Sequence, residues 1–279
     1  MHYIKNYFKI EQKESWLYSI KDQMEVYCWL LIGENSAILF DTGYGIGDLP
    51  GTIREITGKP LTVILSHVHA DHVLGVYQFE KVLLHRADFE LFKEHSGPKW
   101  RQKTIDAINK NKDKLQPWVD SFDFESYLEA GPGNLEVLDE NAVFDPGGFT
   151  VQIIPMQGHT PGSVGLYVPG YDVLFTGDAA NRACFLFLPE SLTLPEYIKM
   201  LKRVKLLSFN THFTGHQDKV YPKSWFDKYI KVAENAIKGK GKPMKIPGFE
   251  EYGEILVSKT GGPIISPTFC AVGYTKNKL

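Results

Sequence analysis

The side chains best suited to holding a metal ion lie in one stretch, Ser66-His67-Val68-His69-Ala70-Asp71-His72. Three imidazoles and one carboxylate fall within six residues. Neutral imidazole is a good zinc ligand, and carboxylate oxygen is a harder ligand that also accepts iron or manganese. The plain alternative is a polar loop whose histidines are neighbours by accident. Against it stands the cost of crowding desolvated imidazoles together without a cation to bind them. The stretch follows the apolar run Leu61-Thr62-Val63-Ile64-Leu65, preceded by Gly58 and Pro60, which reads as a buried strand. If extended geometry continues a little past Leu65, residues two apart point the same way, so His67, His69 and Asp71 share a side. On a helix, such residues would sit about 200° apart. His72 then opens Val73-Leu74-Gly75-Val76, which could start a helix.

His-x-His-x-Asp-His after a strand resembles the metal motif of the metallo-β-lactamase superfamily. The remaining parts of that pattern occur in the expected order. Asp41 stands in Leu39-Phe40-Asp41-Thr42-Gly43, and His159 in Gly158-His159-Thr160-Pro161-Gly162-Ser163. Asp178 ends Leu174-Phe175-Thr176-Gly177-Asp178, and His216 ends Phe213-Thr214-Gly215-His216. The resemblance covers about residues 20 to 220 and is specific as a set, since each short piece alone would be weak. It implies an α+β fold, a four-layer αββα sandwich. It also implies two metal ions, taken as Zn2+, with iron or manganese as alternatives. His67, His69 and His159 would hold one ion, Asp71, His72 and His216 the other, and Asp178 would be shared. The position of Asp41 implies a carboxylate that orients a metal-bound histidine; its plain reading is a turn residue bonding its own backbone. His212 is a rival to His216, which is preferred because it follows Thr214-Gly215 at the loop.

Such a centre implies a zinc-dependent hydrolase, in which a metal-bound hydroxide attacks an ester, thioester, lactone, amide or phosphoester. Asp71 would be its catalytic residue, helping to move the proton. True β-lactamases of the superfamily carry Cys or Ser where Asp178 stands, which argues against antibiotic hydrolysis. Quorum-signal lactonases carry Tyr three residues after the shared Asp, where this chain has Asn181. Glyoxalase-II-like thioesterases share Gly-His-Thr-Pro-Gly and Thr-Gly-Asp, but their glutathione-binding residues are not identifiable here. The tRNA-processing nucleases share the first motif, but no basic arm is visible. Diiron reductases of this fold put Glu where His69 stands. Two other classes stay open: a mononuclear iron dioxygenase acting on a sulfur substrate, and a non-catalytic metal-binding module.

The elements that must position these residues are short. Tyr3–Ile10, Trp16–Ile20, Val26–Ile32 and Ala37–Phe40 read as strands of an antiparallel sheet, with Glu11-Gln12-Lys13 as the first break. A helix is expected near Leu49–Thr57, a strand at Lys81–His85 and a helix at Arg86–Glu94. His85 and His95 read as ordinary surface or core histidines. Residues 96–133 depart most from the superfamily pattern and read as a helical insert, either a solvated layer with a small core of its own or a substrate wall. Strands resume at Leu135–Leu138, Phe149–Pro155, Val164–Val168 and Val173–Phe175. Thr193-Leu194-Pro195-Glu196 has the form of a capping box opening an amphipathic helix. A strand at Phe209–Phe213 and a helix at Ser224–Lys238 follow, and two strands, Glu254–Val257 and Ile264–Phe269, lie in the 250–270 tail. No internal repeat is found, and residues 1–279 are expected to form a single domain.

Composition narrows the class of partner. Of 279 residues, 43% are hydrophobic and 23% charged, with a net charge of −2, so nothing draws the chain as a whole to nucleic acid or anionic membrane. No apolar run approaches the roughly 18 residues that span a bilayer. The N-terminus, Met1 to Tyr7, lacks the basic start and apolar segment of a secretion signal. Cys28, Cys184 and Cys270 are odd in number and far apart, which fits a reducing cytoplasm without a disulfide framework. The expected partner is a small-molecule substrate. The insert's aromatic residues could pack within one chain or across a homodimer.

Overall fold

Short runs of two to six residues, most of them apolar, form the strands of this computed structural model, which describes residues 7–120 and 122–279. The chain forms two compact units, residues 1–151 and 152–279.

In the first unit, seven strands pair in chain order. Lys9–Glu14 (β1), Leu17–Lys21 (β2), Tyr27–Ile32 (β3) and Ala37–Phe40 (β4) form an antiparallel meander. Leu61–Ile64 (β5), Val82–His85 (β6) and Leu135–Leu138 (β7) then add in parallel. Parallel pairing requires crossovers, and these carry the unit's helices. Leu49–Ile56 (α1) joins β4 to β5, with the Asp48 side chain accepting from the Gly51 amide at 2.8 Å. The short helix Ala70–Val73 (α2) lies between β5 and β6. Phe89–His95 (α3), Pro98–Lys110 (α4), Lys112–Val119 (α5) and Phe124–Glu129 (α6) lie between β6 and β7. A two-residue strand, Val143–Phe144 (β8), follows.

Two hydrophobic clusters of the described residues lie in this unit. Leu30, Leu39, Val63, Leu65, Val82 and Leu84 pack with Leu49 and Ile53 of α1 and Phe92 of α3. A second cluster joins Ile105, Ile108, Leu115, Phe122 and Tyr127 of the 96–133 region to Tyr7 and Ile46. The insert therefore has a core that it shares with Tyr7 before β1 and Ile46 after β4. Arg101 is buried inside it, its guanidinium lying 4.8 Å from the ring centres of both Tyr77 and Tyr127. Its charge is held by two aromatic faces, a cation–π arrangement.

The first strand differs from expectation. Residues 3–6 of the expected Tyr3–Ile10 strand lie outside the described residues, and the strand found runs from Lys9 through the polar residues read as a break. The physical reason is its edge position. A strand exposed along nearly its whole length needs no apolar face, and charged residues there discourage pairing with another chain.

In the second unit, Val151–Pro155 (β9), Val164–Val168 (β10) and Val173–Phe175 (β11) pair antiparallel, and Thr211–Phe213 (β13) adds to β11 in parallel. Tyr221–Pro222 (β14) pairs antiparallel with β13. Ala183–Phe185 (β12), Lys242–Pro243 (β15), Leu256–Thr260 (β16) and Cys270–Tyr274 (β17) form another sheet, in the order β12-β17-β16-β15. Leu194–Val204 (α7), opened by the Thr193/Glu196 capping box, and Trp225–Ile237 (α8) share one core with β11, β12 and β17.

The tail strands fall later than the sequence suggests. Ile264–Phe269 is not a strand, and Ile265 is 88% exposed. Gly261 and Gly262 turn the chain at φ of 80° and 90°. The Arg182 guanidinium then takes the carbonyls of Ile264, Ser266 and Phe269, removing them from any ladder. Among the described residues no helix is long and apolar enough to cross a membrane.

Candidate metal centre

In the first unit, the motif is built where the ladder between β4 and β5 stops. Asp41 follows the last paired residue of β4, and its amide donates to the Ile64 carbonyl at 2.9 Å. Its side chain is buried and organises its surroundings. Oδ1 accepts from the Ser66 amide at 2.6 Å, and Oδ2 accepts from the Ser66 hydroxyl at 2.8 Å. His72 Nδ1 lies 2.8 Å from the same Oδ2. The Ser66 hydroxyl, its proton given to Asp41, lies 2.9 Å from His67 Nδ1 and can accept from it. One carboxylate thus orients two histidines, one directly and one through a serine, leaving Nε2 of each as the atom offered outward.

Extended geometry does not continue through the motif as the spacing suggests. The strand ends at Ile64, because Ser66 N bonds Asp41 and Val68 N bonds Asp88 Oδ2 at 3.0 Å instead of a neighbouring strand. His69 keeps extended angles as the residue before α2, and Asp71 lies in the first turn of that helix. Asp71 Oδ2 is 3.4 Å from His72 Nε2, and the Asp71 side chain is partly exposed. His67, His69 and His72 are buried. The His67 ring centre lies 4.7 Å from that of His69 and 4.3 Å from that of His72. Burial alone would lower the His72 pKa, but Asp71 and Asp41 outweigh it and hold that pKa well above its ordinary value. A metal at His72 therefore competes with a proton.

His95, read from sequence as ordinary, is buried against the motif. Its ring centre is 5.1 Å from that of His69, and it stacks on Trp100 at 5.2 Å with planes 16° apart. His85, by contrast, is 3.5 Å from Glu140.

In the second unit, the loops after three strands carry the remaining candidates. His159 follows β9 in a tight turn, closed by Met156 N donating to Ser163 O at 2.8 Å. Gly158 precedes it because a Cβ there would meet the Tyr197 ring at 2.6 Å. His159 Nδ1 is 2.7 Å from the Phe185 carbonyl, which can only accept, so Nδ1 carries the proton and Nε2 offers its lone pair. Asp178 and His216 each lie three residues past the last paired residues of β11 and β13, Phe175 and Phe213. Parallel pairing therefore delivers both at the same edge. Gly215 N donates to Gly177 O at 3.0 Å, which locks the two loops together. His216 Nε2 lies 3.1 Å from Asp178 Oδ2, and His159 Nε2 lies 3.9 Å from it. His212 is elsewhere, buried with Nε2 3.0 Å from the Tyr229 hydroxyl. Burial pushes its pKa down to about 3.

Asn181, Arg182 and Cys184 serve the fold. Asn181 Oδ1 accepts from Ala183 N at 2.8 Å, Arg182 holds the 264–269 carbonyls, and Cys184 is buried in β12.

Sequence reasoning missed several supporting residues: Asp88, Phe185, Ser191 and Lys278. The Ser191 hydroxyl donates to the His159 carbonyl at 2.8 Å. Lys278 in turn donates to the carbonyls of Pro189, at 3.0 Å, and of Ser191. These partners lie up to 89 residues apart in the chain, so no local signal marks them.

Both clusters fit a divalent ion by their donors. The first unit presents His67 and His72 Nε2 near Asp71, with Nδ1 of each held, and the second presents His159 and His216 Nε2 near Asp178, with His159 Nδ1 held.

The chain is 26% identical over 189 residues to Acyl-coenzyme A thioesterase MBLAC2 of Bos taurus, covering 63% of this chain and 66% of that protein. It is 23% identical over 155 residues to the Probable metallo-hydrolase YqgX of Bacillus subtilis, covering 56% of this chain and 66% of that one. The chain thus spans slightly under two thirds of the length of these curated relatives. Among solved structures, a metallo-beta-lactamase from Pontibacter korlensis superposes with a TM-score of 0.57 at 14% identity, over 82% of this chain and 99% of that one. The metallo-beta-lactamase family protein TTHA1429 from Thermus thermophilus gives 0.55 at 17% identity, over 84% and 81%. These structural likenesses establish the α+β metallo-β-lactamase fold. A profile of the Metallo-beta-lactamase superfamily matches residues 22–221, and the chain belongs to that superfamily.

Proposed function

We propose that this chain is a divalent-metal-dependent hydrolase of acyl thioesters, with residues 1–279 acting as one domain and the two clusters supplying one dinuclear zinc centre. The observation that carries this reading is the orientation of the histidines. His72, His67 and His159 each have Nδ1 engaged, by a carboxylate, a hydroxyl and a carbonyl, so Nε2 is the atom available to a metal. His67, His69 and His159 would hold one ion, and Asp71, His72 and His216 the other, with Asp178 between them. When bound, such ions polarise a carbonyl oxygen and bring the pKa of a water toward neutrality.

The chain's own residues complete the task. Asp41 fixes the tautomer of His72 and, through Ser66, the pose of His67. Burial of His67, His69 and His159 limits bulk water at those donors. Asp71, partly exposed on the first turn of α2, is placed to take up and release a proton at its carboxylate. The thioester class is supported by the activity named for the MBLAC2 relatives. Asp178, where β-lactamases of the superfamily carry Cys or Ser, argues against β-lactam substrates.

The test follows thiol release from acetyl- and dodecanoyl-coenzyme A by the wild-type chain, His67→Ala and Asp178→Ala. Metal-dependent hydrolysis in the wild type that falls to background in both variants is expected. A metal-loaded wild type that cleaves lactones or phosphodiesters but no thioester would reject the substrate class. Undiminished hydrolysis in either variant would reject the residue assignment.

A further inference from the structure

A cavity of ≈580 Å3 lies within the second unit, along the chain that leaves β15 at Pro243 and returns to β16 at Ile255. Its volume falls in the range of about 300–1,000 Å3 typical of small-molecule sites. Met244, Ile246, Phe249 and Ile255 give it an apolar lining, with Lys245, Glu250 and Glu254 as its charged members. Met244 is 44% exposed, and Ile246 and Phe249 are only half-buried. Apolar side chains lining a hollow in this way gain stability only when something covers them.

One lining residue, Phe249, connects the cavity through Phe185 to the candidate metal ligand His159. Phe249 packs edge-on against Phe185 at 5.4 Å and Phe187 at 5.2 Å, and lies 6.0 Å from Tyr252. Phe185 is the residue whose carbonyl holds His159 Nδ1 at 2.7 Å. One aromatic nest therefore forms the wall of the cavity and the support of the histidine. The chain entering the cavity is basic: Lys240, Lys242 and Lys245 are exposed, and none forms an ion pair among the described residues. An apolar hollow linked through Phe249 and Phe185 to a candidate metal ligand, with exposed lysines along the chain that enters it, matches an alkyl chain attached to an anionic carrier.

We infer that the 243–255 cavity receives the acyl chain of the substrate, with Lys240, Lys242 and Lys245 attracting the phosphates of the thiol that carries it. This rests on the thioester-hydrolase reading, which it extends by naming where chain length is sensed. Long acyl groups gain binding from the cavity, and an acetyl group is too short to use it.

The test is in two parts. The full chain, as purified, is titrated with cis-parinaric acid, whose fluorescence rises in an apolar site, with dodecanoate as competitor. Saturable binding to one site per chain is expected, weakened at least tenfold by Met244→Trp, which fills the hollow, and by Ile246→Glu, which charges it. Both positions are incompletely buried, and melting temperatures check that each variant folds. No saturable binding, or binding equal in wild type and both variants, overturns the inference. Separately, Met244→Trp is expected to raise KM for dodecanoyl-coenzyme A at least tenfold while leaving acetyl-coenzyme A kinetics unchanged. Equal loss on both substrates overturns the assignment of chain-length sensing. Fatty-acid binding at the cavity in a protein that hydrolyses no thioester would keep the alkyl-chain site and refute the thioester reading, so the two claims fail separately.

Discussion

Asp41→Asn separates the charge at position 41 from its shape. Asp41 has φ of 71°, a left-handed conformation that Asn and Asp tolerate better than other side chains, so the backbone cost barely changes. Alanine would confound the result by adding roughly 1–2 kcal/mol of strain. Asparagine keeps one oxygen for the Ser66 amide, now bonded at 2.6 Å. Its amide nitrogen then replaces Oδ2, which presently receives the Ser66 hydroxyl and faces His72 Nδ1, each at 2.8 Å. A donor there confronts two donors. His72 can escape only by moving its proton to Nε2, the atom offered to a metal. The Ser66 hydroxyl must turn away, which frees the His67 ring.

Loss of such a supporting partner typically costs about 10–100-fold in metal affinity. That is about 1.4–2.8 kcal/mol, at ~1.4 kcal/mol per decade. Loss of one hydrogen bond to a charged group, about 1.5–3 kcal/mol, falls in the same range. The assay is competition for zinc against a chromophoric chelator, with melting of the metal-free proteins as the control on folding. One ion is expected to bind about 10–100-fold more weakly in Asp41→Asn. Wild-type affinity for both ions in the variant would refute the reasoning.

Three further outcomes follow from other parts of the structure. His212, with its pKa pushed down to about 3 by burial, binds fewer protons folded than unfolded between there and about pH 6.5. Stability should therefore fall as pH drops through that window, by about 1.4 kcal/mol per unit from this residue; urea unfolding of His212→Gln should lack that one-proton slope, and an unchanged slope would contradict the assignment. Lys278→Met removes the bonds to Pro189 and Ser191 that brace the His159 loop; a loss of about 1–2 kcal/mol in chemical denaturation is expected, with weaker zinc binding, and zinc binding unchanged would show that the brace does not reach His159. Gly75→Ala places a Cβ 2.2 Å from the Thr42 carbonyl; destabilisation of about 1–3 kcal/mol is expected from that overpacking, and a variant as stable as the wild type would show the turn relaxing freely.

The metal-capable residues were legible in the sequence because their chemistry is written in residue type and short spacing. His67, His69, Asp71 and His72 are contiguous, and each remaining candidate follows a short apolar run. What holds them was not legible. Asp41 and His72 are 31 residues apart, His159 and Phe185 26, and Lys278 and Ser191 87, and only pairing of strands and loops brings them together. Edge strands escaped for a different reason. β1 has no buried face, so apolar periodicity cannot report it, whereas Ile264 and Ile265 look like a strand yet stand exposed because Arg182 takes the carbonyls around them. A small core within the insert was one of the two readings the sequence offered. The burial of Arg101 between two tyrosines was not, since a lone arginine among lysines reads as solvated.

The central claim is that the two clusters hold divalent metal for hydrolysis. Elemental analysis of the full chain, purified without added metal and again after zinc is offered, tests it most directly. About two zinc ions per chain are expected, falling in the Asp178→Ala variant, with thioester hydrolysis lost on chelation and regained on reloading. One iron per chain with little zinc would contradict the dinuclear hydrolase and favour oxygen chemistry on a sulfur substrate. No metal, even after zinc is offered, would contradict the metal centre itself.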